Sequence, residues 1–184
     1  MNATSWLIFA LLAAVTLTVL WQRWNQRLAR GLARVDTAWQ DLEKALAERI
    51  AALEEMHAAL ERAGYVPEGR PRLRQVVTAL KEARGPRAQA EADLAVESVL
   101  HDIYRGLPRE RIEAIRSAQN RLAQADEERD IARTRYNDLS LSLALLVRRF
   151  VYRSIARRRR IVPPEPFLLP GEETDYVRRH LGHP

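Results

Sequence analysis

The sequence predicts an all-α protein: an N-terminal transmembrane helix continuing into an antiparallel four-helix bundle with two long and two short helices. Three observations predict it. The first 22 residues hold one long uncharged apolar run. Two later segments repeat apolar residues at helical spacing over many turns. Between them Gly and Pro cut the chain at intervals, and no alternating strand pattern occurs.

The anchor comes first, residues 1–22. From Asn2 to Gln22 no side chain is charged, and Trp6–Trp21 reads WLIFALLAAVTLTVLW. As a helix, this stretch spans ~31 Å, the thickness of a bilayer core. Trp6 at one end and Trp21 and Trp24 at the other fit the two interfaces. A cleaved signal peptide would need a basic start, which Met1–Ser5 lacks, and small residues where the chain has Val19-Leu20-Trp21. A retained anchor is therefore expected. Arg23, Arg27, Arg30 and Arg34 follow the span with no acid among them and nothing basic precedes it, so the N-terminus is expected outside and the rest in the cytoplasm.

Residues 23–160 read as the bundle. Breaks at Gly64–Gly69, Gly85-Pro86 and Gly106–Pro108 predict helices over about 22–63, 71–84, 87–105 and 109–157. In the first, Leu28, Leu32, Val35, Trp39, Leu42 and Leu46 step by four and three, and Ile50, Leu53, Met56 and Leu60 continue after a slip. In the last, the stripe runs from Ile115 through Ala118, Leu122, Ala125, Arg129, Ala132, Tyr136, Leu139, Leu143 and Leu146 to Phe150. Stripes this long mean helices packed at a shallow angle, and short connections make neighbours antiparallel. Residues 161–184 hold Pro163, Pro164, Pro166 and Pro170, and are expected to form an extended, largely disordered tail.

Charge is uneven. The chain carries 30 basic and 24 acidic residues, net +6, with a pI near 10.3. Seven arginines, Arg148, Arg149, Arg153, Arg157, Arg158, Arg159 and Arg160, stand within thirteen residues without an acid. Apart from these and the four after the anchor, the chain has 19 basic and 24 acidic residues, so the positive charge belongs to two patches. Nucleic acid, anionic lipid and plain solvation of a helix end all suit such a patch. Antiparallel register decides for lipid, because pairing Arg62 with about Glu110 returns residue 157 opposite residue 15. Leu145, Val147, Val151 and Tyr152 lie off the core stripe nearby, and basic plus apolar reads as an interfacial segment. The expected membrane-surface residues are thus Arg23, Arg27, Arg148, Arg149, Arg153 and Arg157–Arg160, with anionic head groups as partner and no nucleic acid.

Sites for chemistry are missing. There is no Cys, which removes disulfides and thiolate chemistry. Glu54-x-x-His57 has metal-like spacing, yet a carboxylate di-iron bundle needs a second such motif, and Glu97-x-x-x-His101 is wrongly spaced. His180 and His183 lie in the tail. Phosphate loops and nucleophile elbows do not occur. No enzyme activity, cofactor or metal is expected. Arg129 in the last stripe either pairs with Glu43 or a nearby acid of the first helix, or, the preferred reading, covers the seam with its stem while its head reaches water. Tyr136 is expected in the core with its hydroxyl bonded at the edge. Asn137 and Asp138 could bond a neighbouring helix or a partner.

Several of these residues carry a resemblance. Val35-x-x-Ala38-Trp39 with Leu42, Leu46 and Arg49, then Tyr104-Arg-Gly-Leu-Pro108, then Ala132-Arg133-x-x-Tyr136-Asn137-Asp138 with Phe150, Ile155-Ala156 and Pro166-Phe167 resemble the LemA family. The likeness runs from about Trp24 to Phe167, with Ala51–Met56, Leu143-Ala144 and Arg157–Arg160 departing from the family pattern. It implies a single-pass protein of the bacterial inner membrane with a cytoplasmic helical bundle, and brings no biochemical activity with it. The function expected is a membrane-anchored scaffold or adaptor with protein partners that the sequence does not identify. An envelope metal-binding or enzymatic bundle and a membrane-tethered nucleic-acid binder are the alternatives.

Overall fold

The computed structural model describes residues 3–64, 69–169 and 171–172, and over these the chain is helical with no strand. The helices are α1 (Ala3–Arg62), α2 (Gly69–Glu82), α3 (Pro86–Gly106), α4 (Arg109–Arg148) and α5 (Phe150–Arg159). The boundaries of the first three fall where the Gly and Pro breaks predict them.

The apolar N-terminal segment and the first bundle helix are one continuous rod. No Pro interrupts Ala3–Arg62, and its 60 residues extend about 90 Å. Among the described residues it is the one helix long and apolar enough to cross a membrane. Among the described residues its apolar N-terminal part packs against nothing: Leu7, Phe9 and Leu11 are each more than 60% exposed. Thr16 and Thr18 return their hydroxyls to the carbonyls of Leu12 and Ala14, so they present no free polar group to an apolar surrounding. The helix ends at Arg62 and the chain turns off it at Gly64, whose φ of 63° suits a residue without Cβ.

Beyond this apolar segment, α1 and α4 pack lengthwise. Asp41 pairs with Arg135, Arg49 with Asp126, and Glu55 with Arg121. Numbers rise on α1 as they fall on α4, so this pair is antiparallel. Close approach occurs at Gly31, where a Cβ would sit 3.4 Å from Leu143 Cδ1. The shorter helices α2 and α3 pack on each other, and α2 on α1. Together they cover the end of the seam distant from the apolar N-terminal segment, where Leu53, Met56, Leu60, Leu73, Leu100, Ile103 and Ile115 form one apolar cluster. A second cluster lies toward that segment, with Leu28, Val35, Leu42, Tyr136, Leu143, Ile155 and Phe167. Trp39 is half-buried and tilts against Tyr136, ring centroids 5.1 Å apart.

Two expectations fail at the C-terminal end. The last helix does not run unbroken to 157: Arg149 takes φ −66° and ψ 137°, and α5 starts afresh at Phe150. Phe150, expected in the core, is 91% exposed. The stripe explains the break. Continued straight, its next positions would be Arg153 and Arg157, whereas the turn at Arg149 buries the apolar set Tyr152, Ile155 and Ala156 instead. The second correction concerns the tail. Residues 161–169 are extended but not disordered, since they lie against α4 with Phe167 fully buried. His180, His183 and the rest of the tail from 173 onward lie outside the described residues.

Candidate membrane-facing site

The foot of the bundle is built by the end of α4, by α5 and by the start of the Pro-rich strap. The strap turns back at Arg160, the one non-glycine residue with positive φ among the described residues (54°). Its N–H bonds the Arg157 carbonyl and the Ile161 N–H bonds the Ala156 carbonyl, the paired bonds of a left-handed helix cap. Holding an L-residue there costs about 1–2 kcal/mol, which the two carbonyl bonds offset. Prolines 163, 164 and 166 lack the N–H that a helix would need, so the segment stays extended.

What holds the strap is legible bond by bond. Asn137 grips both backbone groups of Phe167: its Nδ2 donates to the carbonyl at 2.9 Å, and its Oδ1 accepts from the N–H at 2.8 Å. The Tyr136 hydroxyl donates to the Glu165 carbonyl at 2.7 Å. Arg133 donates to the Phe167 carbonyl at 3.3 Å and pairs with Glu172. The Tyr136-Asn137 pair, open to two readings in the sequence, thus clasps the chain's own C-terminal segment. Asp138 instead faces a wide cleft of about 1290 Å³ on the seam of α1 and α4, with Arg30, Arg34, Asp130 and the 64% exposed Ile131.

All nine arginines expected at the membrane surface, Arg23, Arg27, Arg148, Arg149, Arg153 and Arg157–Arg160, are exposed. Their placement differs from the expected register. Residue 157 does not lie opposite residue 15, because the break at Arg149 ends the lengthwise pairing. Carrying the observed register to its end sets Arg148 near the level of Leu28, and α5 folds beside it. Arg148, Arg153, Arg157 and Arg160 line one cleft of about 630 Å³ with Val147 and Val162. Arg149, Arg158 and Arg159 do not line it, nor do Arg23 and Arg27. Phe150 and Val162, 91% and 80% exposed, add apolar surface to the same end.

A second arginine cluster, deep in the bundle, was not read from the sequence. Arg49 has no exposed surface and reaches three carboxylates: Asp93 and Glu97 of α3, and Asp126 of α4, the last at 2.5 Å from Nε. Asp93 is also buried, and its second oxygen takes Arg129. Arg129 further approaches Asp130 at 3.0 Å and Glu97 at 3.6 Å. This corrects both readings of Arg129: its main partner is on α3 and not α1, and the residue is buried, 8% exposed, with its guanidinium on Asp93. Burial alone would lower its pKa, but Asp93, Asp130 and Asp126 outweigh that and hold it above the ordinary arginine value. At the edge, the Tyr104 phenol is pushed above its ordinary value by burial and then by Asp126 and Glu97.

The signal for this cluster was phase. Leu42, Leu46, Arg49, Leu53, Met56 and Leu60 continue the four-three stepping with no slip, so Arg49 and not Ile50 holds the core position. Asp93 and Arg129 stand in phase on α3 and α4 in the same way. Two arginines and one aspartate, each in phase with the apolar stripe of its own helix, mark a buried ion cluster.

Glu54 pairs with Lys81 on the surface, away from any second carboxylate-histidine motif. Among the described residues no group of three His, Cys, Asp or Glu side chains is placed to hold a metal ion. No protein-family model matches the chain, and no curated protein matches it either.

Proposed function

We propose that this protein is a membrane-anchored helical scaffold or adaptor at the inner face of the bacterial plasma membrane, whose bundle foot rests on anionic lipid. One observation carries the reading. The seven arginines of residues 148–160 are exposed and have no carboxylate partner among the described residues, at the end of the bundle from which the apolar span emerges. Each such Arg near an anionic surface contributes about 1 kcal/mol. The charge asymmetry around the span argues for the N-terminus outside and the bundle in the cytoplasm. The motif residues Val35, Trp39, Tyr136, Asn137 and Phe167 support a divergent member of the LemA family with a four-helix antiparallel bundle. Partners for an adaptor would be proteins, meeting helical surfaces such as the α1–α4 cleft. Neither catalysis nor a cofactor is part of the proposal.

A fragment from Arg23 to Pro184 tests the lipid contact. It is expected to sediment with vesicles containing anionic lipid and not with neutral ones, and to release as salt shortens the screening length toward ~3 Å at 1 M. Equal sedimentation with neutral vesicles, or tighter binding to DNA than to anionic vesicles, would overturn the reading.

A further inference from the structure

The cleft at the foot of α4 differs from the rest of the basic surface. Elsewhere the seam arginines have carboxylates beside them: Arg49, Arg121, Arg129, Arg133 and Arg135 each pair with one, and the cleft that Arg30 and Arg34 line also holds Glu127, Asp130 and Asp138. Arg148, Arg153, Arg157 and Arg160 line a single cleft and have no carboxylate partner among the described residues. They come from three pieces of backbone brought together by the break at Arg149 and the left-handed turn at Arg160. Four like charges in one cleft repel each other, and an anion between them removes that cost. Guanidinium forks match the oxygens of phosphate in particular. Val147 and Val162 supply an apolar wall beside the charges, and about 630 Å³ lies within the range of ligand sites.

We propose that this cleft is a discrete phosphate-binding site, filled by the phosphate of an anionic lipid head group or by a free phosphate of the same chemistry. The inference rests on the lipid-facing reading above and sharpens it from a diffuse attraction to one site per chain. Its natural control is on the same helix: Arg158 and Arg159 carry the same charge but do not line the cleft.

The test uses the full chain in neutral detergent, titrated with short-chain phosphatidic acid, short-chain phosphatidylcholine or inorganic phosphate. Bound molecules are counted by native mass spectrometry. One phosphatidic acid is expected to bind each chain ahead of any other, and phosphatidylcholine to bind far more weakly. R153Q/R157Q is expected to weaken that first site by about tenfold or more, through loss of two charge-assisted contacts. R158Q/R159Q removes the same charge and is expected to change it by less than about threefold, since exposed charges outside the cleft are screened. R148Q, on a different helix, should weaken it as well, with circular dichroism confirming that each variant keeps its helix content. Displacement of the lipid by inorganic phosphate assigns the site to free phosphate, and resistance to displacement assigns it to the lipid head group. Equal losses in the two double variants, or graded uptake with no first site, would overturn the cleft. If that happens while vesicle sedimentation persists, the surface reading stands alone; a filled site without vesicle sedimentation removes the surface reading and leaves the site.

Discussion

Arg49 joins three helices through one side chain, so its replacement is the sharpest test of the packing. Arg49→Met strands Asp93 in the interior with Arg129 as its remaining partner. Breaking a buried pair from one side costs about 3–5 kcal/mol, and a loss of that order is expected in a chemical melt. Arg49→Lys should recover little, because a single ammonium cannot present the planar fork that meets Asp93, Glu97 and Asp126 together. A melt unchanged by Arg49→Met would mean that the cluster contributes nothing to stability. Tyr104 adds a pH dependence. Its folded pKa lies above the unfolded value of about 10, so its contribution is complete below that value and is lost as pH rises through the folded pKa. Melting temperature followed from neutral pH upward should fall in the alkaline range, and less steeply in Tyr104→Phe. An identical alkaline fall in the variant would assign it to other groups.

At the scale of elements, the strap and α5 are held by few contacts and should come free together. Phe167→Ala empties a fully buried position, which typically costs about 3–5 kcal/mol locally. Asn137→Ala leaves the Phe167 N–H without its acceptor, at about 1–3 kcal/mol. Hydrogen exchange should therefore quicken over residues 150–169 in either variant, while α2 and α3 keep wild-type protection. Uniform loss across the bundle would show that the strap is part of the global core and not a separable clasp. The same scale explains what periodicity could and could not tell. Apolar phase located α1 to α3 because Gly and Pro end them locally. It overran at Arg149, where no Gly or Pro stands and only burial of Tyr152, Ile155 and Ala156 decides the turn.

For the whole molecule the decisive question is orientation. The chain has no Cys, so one introduced thiol reports alone. Arg84→Cys stands in the connection between α2 and α3. With the bundle in the cytoplasm, an impermeant maleimide should leave it unlabelled in intact cells and label it after permeabilisation. Labelling in intact cells would put the bundle outside and end the proposal for the inner face.

Helix content, the apolar N-terminal run, the breaks that separate α1 to α4 and the two arginine patches were all properties of the sequence by itself, because each depends on residues near one another in the chain. Hydrophobic phase, glycine and proline chemistry and local charge need no partner to act. Tertiary structure alone decided which carboxylates Arg49 and Arg129 meet, that Asn137 grips the strap, and that four of the nine surface arginines share a cleft. Those outcomes depend on groups distant in sequence: Asn137 and Phe167 are 30 residues apart, and Arg49 and Asp126 are 77 apart. A charge in phase with an apolar stripe announces that it will be buried, but its partner is chosen by the register and turns of helices elsewhere in the chain.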